Sequence, residues 1–150
     1  RWRIIPVNDY GNAEIVRSLV RAERPDILYF MTDPRFYEWL WKMEDEIRPL
    51  IPMIYYHVWD NGPLPKFNKP FYESNDFVAT ISKVTSNIVQ GVAPNVSERY
   101  IPHAVDSEVF SKIKDKDLLS NLETIKEQND MKGKFVCFWN NRNVPRKEFI

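Results

Sequence analysis

Apolar residues are grouped along the chain in two ways that alternate. Short unbroken runs, Ile27–Met31, Met53–Val58 and Phe77–Ile81, are too apolar on both parities to be half-exposed strands. They read as strands buried inside a parallel sheet. Between them lie segments with apolar residues three and four apart, the spacing of a helix face. Ala13–Glu23 carries Ile15, Val16, Leu19 and Val20 on one side and Arg17 and Arg21 on the other. Asp33 and Pro34 open a second predicted helix, with Phe36, Leu40, Met43 and Ile47 inward and Pro49 just past its end. Ser82 is the expected cap of a helix running through Val89, with Gly91 as its stop.

The remaining elements follow the same logic. Ile4–Val7 predicts a short first strand, and an aromatic stretch ending at Asn75 predicts a helix. Arg99–Ile101 predicts a strand that Pro102 must end, because proline has no N–H to give to a ladder. His103, Asp106 and Ser107 follow, then Val109 and Phe110 as an apolar anchor, so the chain leaves one layer for another here. Asp117–Asp130 predicts a helix with Leu118, Leu119, Leu122 and Ile125 inward, and Phe135–Trp139 a last strand. The expected fold class is α/β, a doubly wound parallel sheet covered on both faces.

Composition narrows the function. Twenty-one basic and 21 acidic residues cancel, which argues against a nucleic-acid partner. The single cysteine, Cys137, allows no internal disulfide and predicts a reducing, cytoplasmic location. There is no apolar run of about 18 residues. The chain begins Arg1-Trp2-Arg3 without a leader pattern and stops inside a predicted helix, so both ends read as cut. Only two histidines and one cysteine are present, so no metal site is expected. The sequon Asn95-Val96-Ser97 is expected to be idle in such a compartment.

Ligands of such sheets bind at the carboxyl ends of the strands. The polar residues there are Thr32 and Asp33, His57 and Asp60, Ser82, His103, and Asn140 to Arg142. Arg142-Asn143-Val144-Pro145-Arg146-Lys147 puts three cations at a predicted helix start, where free N–H groups and the helix dipole favour an anion such as a phosphate. A solvated basic turn accounts for the same residues equally well. His57 has two readings of equal weight: a group at the cleft facing Asp60 and Asn61, or a surface or core histidine bonded to a neighbouring carbonyl. Asp33 is read first as a helix cap. Tyr55, Tyr56, Trp59, Phe67, Phe71 and Tyr72 could stack on sugar rings, though such aromatics more often fill cores.

Tyr100-Ile101-Pro102-His103-Ala104-Val105-Asp106 with Phe110 resembles the Ile-Pro-Asn/His-Gly-Val-Asp…Phe segment of family 4 (group 1) glycosyltransferases. Residues 135–147 resemble the first strand and loop of that family's C-terminal domain, where Gly-Arg, four residues and Lys-Gly recur; Arg142 and Lys147 have this spacing. Arg24-Pro25-Asp26-Ile27 resembles the family's Lys/Arg-Pro-Asp-Val/Ile. The chain departs from the pattern at Ala104, Asn141 and Glu148, where the family has Gly.

The resemblance implies the GT-B architecture of two Rossmann-like domains. Residues 1–104 would be part of the N-terminal, acceptor-side domain. Residues 105–133 would be linker and helix, and 134–150 the first strand and helix start of a truncated donor-binding domain. It implies a retaining, metal-independent hexosyltransferase whose donor substrate is a nucleotide-diphosphate sugar and whose acceptor is a sugar, lipid or glycan. It needs no cofactor, and a lipid acceptor would bring the parent enzyme to a membrane surface. Arg142 and Lys147, with Arg146 beside them, would hold the donor diphosphate. His57 would act at the cleft, and His103 and Asp106 would shape the hinge. The chain alone is expected to be inactive. The rival is a non-catalytic α/β module binding phosphate or a nucleotide.

Overall fold

The computed structural model describes residues 3–138 and 140. The chain divides into two compact units, Arg1–Ala104 and Val105–Ile150.

The first unit is an α/β layer. Helix α1 (Ala13–Glu23) precedes strand β1 (Leu28–Met31). Two short helices, α2 (Glu38–Trp41) and α3 (Glu44–Ile47), lead to β2 (Met53–His57). Helix α4 (Lys69–Glu73) leads to β3 (Phe77–Thr80), and α5 (Lys83–Val92) to β4 (Glu98–Tyr100). The four strands are parallel, in the order β1-β2-β3-β4.

That order decides which face is covered. Every step moves one strand in the same direction, and right-handed crossovers then put all connections on one side. The core follows suit. Leu28, Phe30, Met53, Tyr55 and Val78, on one face by strand alternation, pack with Leu40, Trp41, Met43, Ile47, Tyr72, Ile88 and Val89 from the connections, and with Ala13, Val16 and Val20 of α1. The opposite face presents Tyr29 and Met31, 57% and 49% exposed, beside the half-buried Ile54 and Phe77. Where the sequence predicted cover on both faces, the helices of this unit cover one.

Local differences have physical causes. The single helix expected after Pro34 is broken at Tyr37 and Met43, both outside helical geometry. Ring packing wins over helix periodicity: Tyr37 stands edge-on to Phe30 at 5.8 Å, while Trp41 stacks on Phe71 at 4.8 Å and meets Tyr55 at 5.1 Å. Phe36 is thereby turned from the core onto Tyr10, 4.3 Å away. Ser82 caps α5 as expected, its hydroxyl accepting from the Thr85 N–H at 3.1 Å. Gly91 does not stop it: the helix runs to Val92, and Ala93 still donates to the Val89 carbonyl at 2.8 Å. Residues 4–7 form no strand, and Ile4 is 91% exposed.

At the amino ends of the strands, Asp76 ties three elements together. It accepts from the Met53 N–H at 2.8 Å and from Arg48 at 3.1 and 3.2 Å, while Arg48 also donates to Glu44 at 2.8 Å.

The second unit holds α6 (Lys116–Gln128), capped by Asp115, which accepts from the Leu118 N–H at 2.9 Å. Leu118, Leu119, Leu122 and Ile125, expected inward, are exposed. The strand expected at Phe135 onward is not formed through Phe138, and Phe135 and Phe138 lie open to solvent. A lone extended segment has no ladder in which to bury its backbone groups. No described helix is long and apolar enough to cross a membrane.

Candidate functional site

The carboxyl ends of β1 and β2 carry two neighbouring cavities that share Asp33, Arg35 and Trp59. One, of about 220 Å³, is polar, lined further by Val58, Asp60 and Asn61. The other, of about 300 Å³, is aromatic, with Phe67 and Phe71 beside Pro34, Glu38 and Asn68. Together they form a groove where an α/β sheet offers its loops to a ligand.

Asp33 is the hinge of this groove. It makes no side-chain capping bond to the turn that follows. Its Oδ2 lies 3.0 Å from the Arg35 guanidinium, and its Oδ1 is buried without a hydrogen-bond partner among the described residues. The cap expected from Asp-Pro is therefore replaced by a carboxylate facing across the corner. Trp59 is held by its own loop, its Nε1–H donating to the Asn61 carbonyl at 2.8 Å, and Phe67 meets it edge-on at 6.0 Å.

Of the two readings of His57 the structure gives the core one, with tyrosine hydroxyls rather than a carbonyl as partners. It is wholly buried on the helix-covered face. Its Nδ1 lies 2.7 Å from the Tyr55 hydroxyl and its Nε2 lies 2.8 Å from the Tyr72 hydroxyl. Tyr55 donates its only proton to the Thr32 carbonyl at 2.7 Å. It must therefore accept from His57 Nδ1–H, which leaves Nε2 as an acceptor for Tyr72. Tyr72 in turn accepts from the Asn68 amide at 3.4 Å.

Burial pushes the imidazole pKa down to about 3, and that of Tyr72 up to about 12 despite the Asn68 bond. A neutral ring with both nitrogens engaged is not a base at a cleft, so the catalytic placing of His57 is corrected. The chain Asn68–Tyr72–His57–Tyr55–Thr32 does reach both walls of the groove, since Asn68 lines one and Thr32 directly precedes Asp33. His57 itself lies buried behind the groove.

His103, in the same unit, is not among the groove's lining residues. His103 stacks on Tyr56, centroids 5.2 Å apart and planes 9° from parallel, while Tyr56 donates to the Ile101 carbonyl at 2.7 Å. Asp106 closes its own turn, accepting from the Glu108 N–H at 2.9 Å. Arg142, Arg146 and Lys147 lie outside the described residues. Arg35 and Glu38 belong to the groove and were missed. The signal was a charged pair three apart directly after an Asp-Pro corner at a strand end. Tyr55, two residues before His57 on one strand face, likewise pointed to their bond.

Among the described residues no group of three or more His, Cys, Asp or Glu side chains could hold a metal ion. The chain matches no model of a known protein family, and no curated protein matches it.

Proposed function

We propose that this chain belongs to a retaining, metal-independent glycosyltransferase of the two-Rossmann type, with the first unit on the acceptor side. The groove at the carboxyl ends of β1 and β2 carries this reading. It sets the ring of Trp59 beside the Asp33 and Asp60 carboxylates, the pairing of apolar face and hydroxyl-binding groups that a sugar ring needs. The motif resemblance supplies the donor half: Arg142 and Lys147 neutralise a diphosphate leaving group, with Arg146 beside them. On this reading residues from 134 onward belong to the donor-binding side.

The test is a titration of the chain with uridine and guanosine diphosphates followed by calorimetry. Binding is expected, and Arg142→Ala or Lys147→Ala weakens it about tenfold or more, as loss of a charge-assisted contact does. Absence of binding, or equal binding by both variants, overturns the donor assignment.

A further inference from the structure

We infer that the acceptor taken by this groove is a non-anionic glycoside with an apolar aglycone, and that phosphorylated sugars and lipid phosphates are refused. The inference rests on the glycosyltransferase reading for the word acceptor; the ligand chemistry comes from the groove itself.

Charge is the first argument. Among the described residues the groove is lined by three carboxylates, Asp33, Glu38 and Asp60, and one cation, Arg35. Arg35 is engaged by Asp33 at 3.0 Å and Glu38 by Lys42 at 2.8 Å, which leaves Asp60 as the unpaired charge. A phosphate entering here would face that carboxylate and find no free guanidinium or ammonium among the described lining residues, and like charges at close range repel.

Hydrogen bonding is the second. Asp33 Oδ1 is closed off from the groove, and its Oδ2 is taken by Arg35. The open groups of the polar wall are the Asp60 carboxylate, which can only accept, and the Asn61 amide, which can donate and accept. Such walls call for a ligand rich in donors, and hydroxyl groups on adjacent ring carbons satisfy them.

Shape is the third. The Trp59 indole is held by its bond to Asn61 and lines both the polar cavity and the aromatic one. A sugar ring can lay its C–H face on the indole with its hydroxyls toward Asp60 and Asn61. Its aglycone then falls between Phe67, 69% exposed, and Phe71. Apolar surface left open beside a polar cavity is covered by an apolar substituent at the anomeric carbon.

The experiment is ligand-observed NMR of the whole chain with 4-nitrophenyl glucoside, galactoside and mannoside in both anomers. The matching methyl glycosides, hexose 6-phosphates and 4-nitrophenol alone are the comparisons. At least one 4-nitrophenyl hexoside is expected to bind in the millimolar range, as ligands of this size do. The methyl glycoside should bind about tenfold more weakly, the free phenol more weakly than the glycoside, and the phosphates not at all. Trp59→Ala and Asp60→Asn should each lose about tenfold with circular dichroism unchanged. Equal binding of hexose phosphates, binding by the phenol alone, no binding by any hexoside, or unchanged binding by Trp59→Ala each overturns the inference. The diphosphate titration above is a separate measurement, so hexoside binding with no diphosphate binding would reject the donor assignment and leave the groove chemistry standing.

Discussion

Tyr55 and His57, two residues apart on one face of β2, share a 2.7 Å bond that runs in one direction only, from the imidazole Nδ1–H to the phenol oxygen. The direction follows from the Tyr55 proton being given to the Thr32 carbonyl. It puts the proton of the neutral ring on Nδ1, while burial is what keeps the ring neutral.

The first prediction is a pH dependence. The folded imidazole takes up a proton only near pH 3, whereas in the unfolded chain it does so at its ordinary value near 6.5. Below 6.5 the unfolded state therefore binds one more proton, and stability falls as pH drops from 6.5 towards 3. One such proton is worth about 1.4 kcal/mol per pH unit inside that window. Urea unfolding of wild type and His57→Leu at pH 7, 6, 5 and 4 measures it: the variant should be less stable at pH 7 and show the shallower slope. Nitrogen NMR should report Nδ1–H and no titration between pH 8 and 4.

Tyr72→Phe removes the donor to His57 Nε2 and the acceptor of the Asn68 amide in a site closed to water. Leaving such groups buried without partners costs about 1–3 kcal/mol. Tyr55→Phe strands the Thr32 carbonyl and the Nδ1–H in the same way. Tyr100→Phe, at an exposed site, should stay within about 0.5 kcal/mol. If denaturation at pH 7 finds all three alike, the directed chain of bonds is wrong.

The clamp at the other end of the sheet titrates in a different range. Burial raises the Asp76 carboxyl, but the Met53 N–H and the Arg48 guanidinium outweigh it, so its pKa is lowered overall. The stability it contributes is present above the usual carboxylate range and is lost as pH falls below it. Asp76→Ala should cost about 1 kcal/mol at pH 7, discounted because both partners are about a third exposed, and the loss should shrink below pH 3.5. An acid-unfolding midpoint identical in Asp76→Ala and wild type would argue against the clamp.

These contacts also mark what the chain discloses before it folds. β1, β2 and β3 stand where unbroken apolar runs put them, β4 lies one residue before the span expected ahead of Pro102, and Ser82 caps where its spacing from Thr85 says it can. Both are local signals. Residues 4–7 and 135–138 have the same apolar look but form no strand, because a strand is made by its neighbour's edge and not by its own residues. The broken helix after Pro34 fails for a related reason: Tyr37 and Trp41 carry large rings whose partners Phe30, Tyr55 and Phe71 come from distant positions. Of the groove, Trp59 and Asp60 were legible from a strand end. For His57 the core reading was open beside the cleft one, but its Tyr72 partner was not legible, since only the fold brings that ring to its second nitrogen.

Gly91 carries the last prediction. It was expected to end α5 and instead lies within the helix, in a conformation open to any residue. A Cβ added there would meet the Leu64 side chain at 3.2 Å, a contact that is too close by a few tenths of an ångström. Leu64 is 48% exposed on the loop between Trp59 and Lys66, so its methyl groups have solvent to turn into. The helix meanwhile gains the difference between alanine and glycine, about 1 kcal/mol. Gly91→Ala should therefore raise stability by about 0.5 kcal/mol after the Leu64 adjustment, and Gly91→Ala with Leu64→Ala should recover the larger share of the helix term relative to Leu64→Ala alone. Thermal unfolding of the four proteins decides it: a Gly91→Ala variant less stable than wild type in both backgrounds would place a rigid neighbour, not Leu64, against the helix.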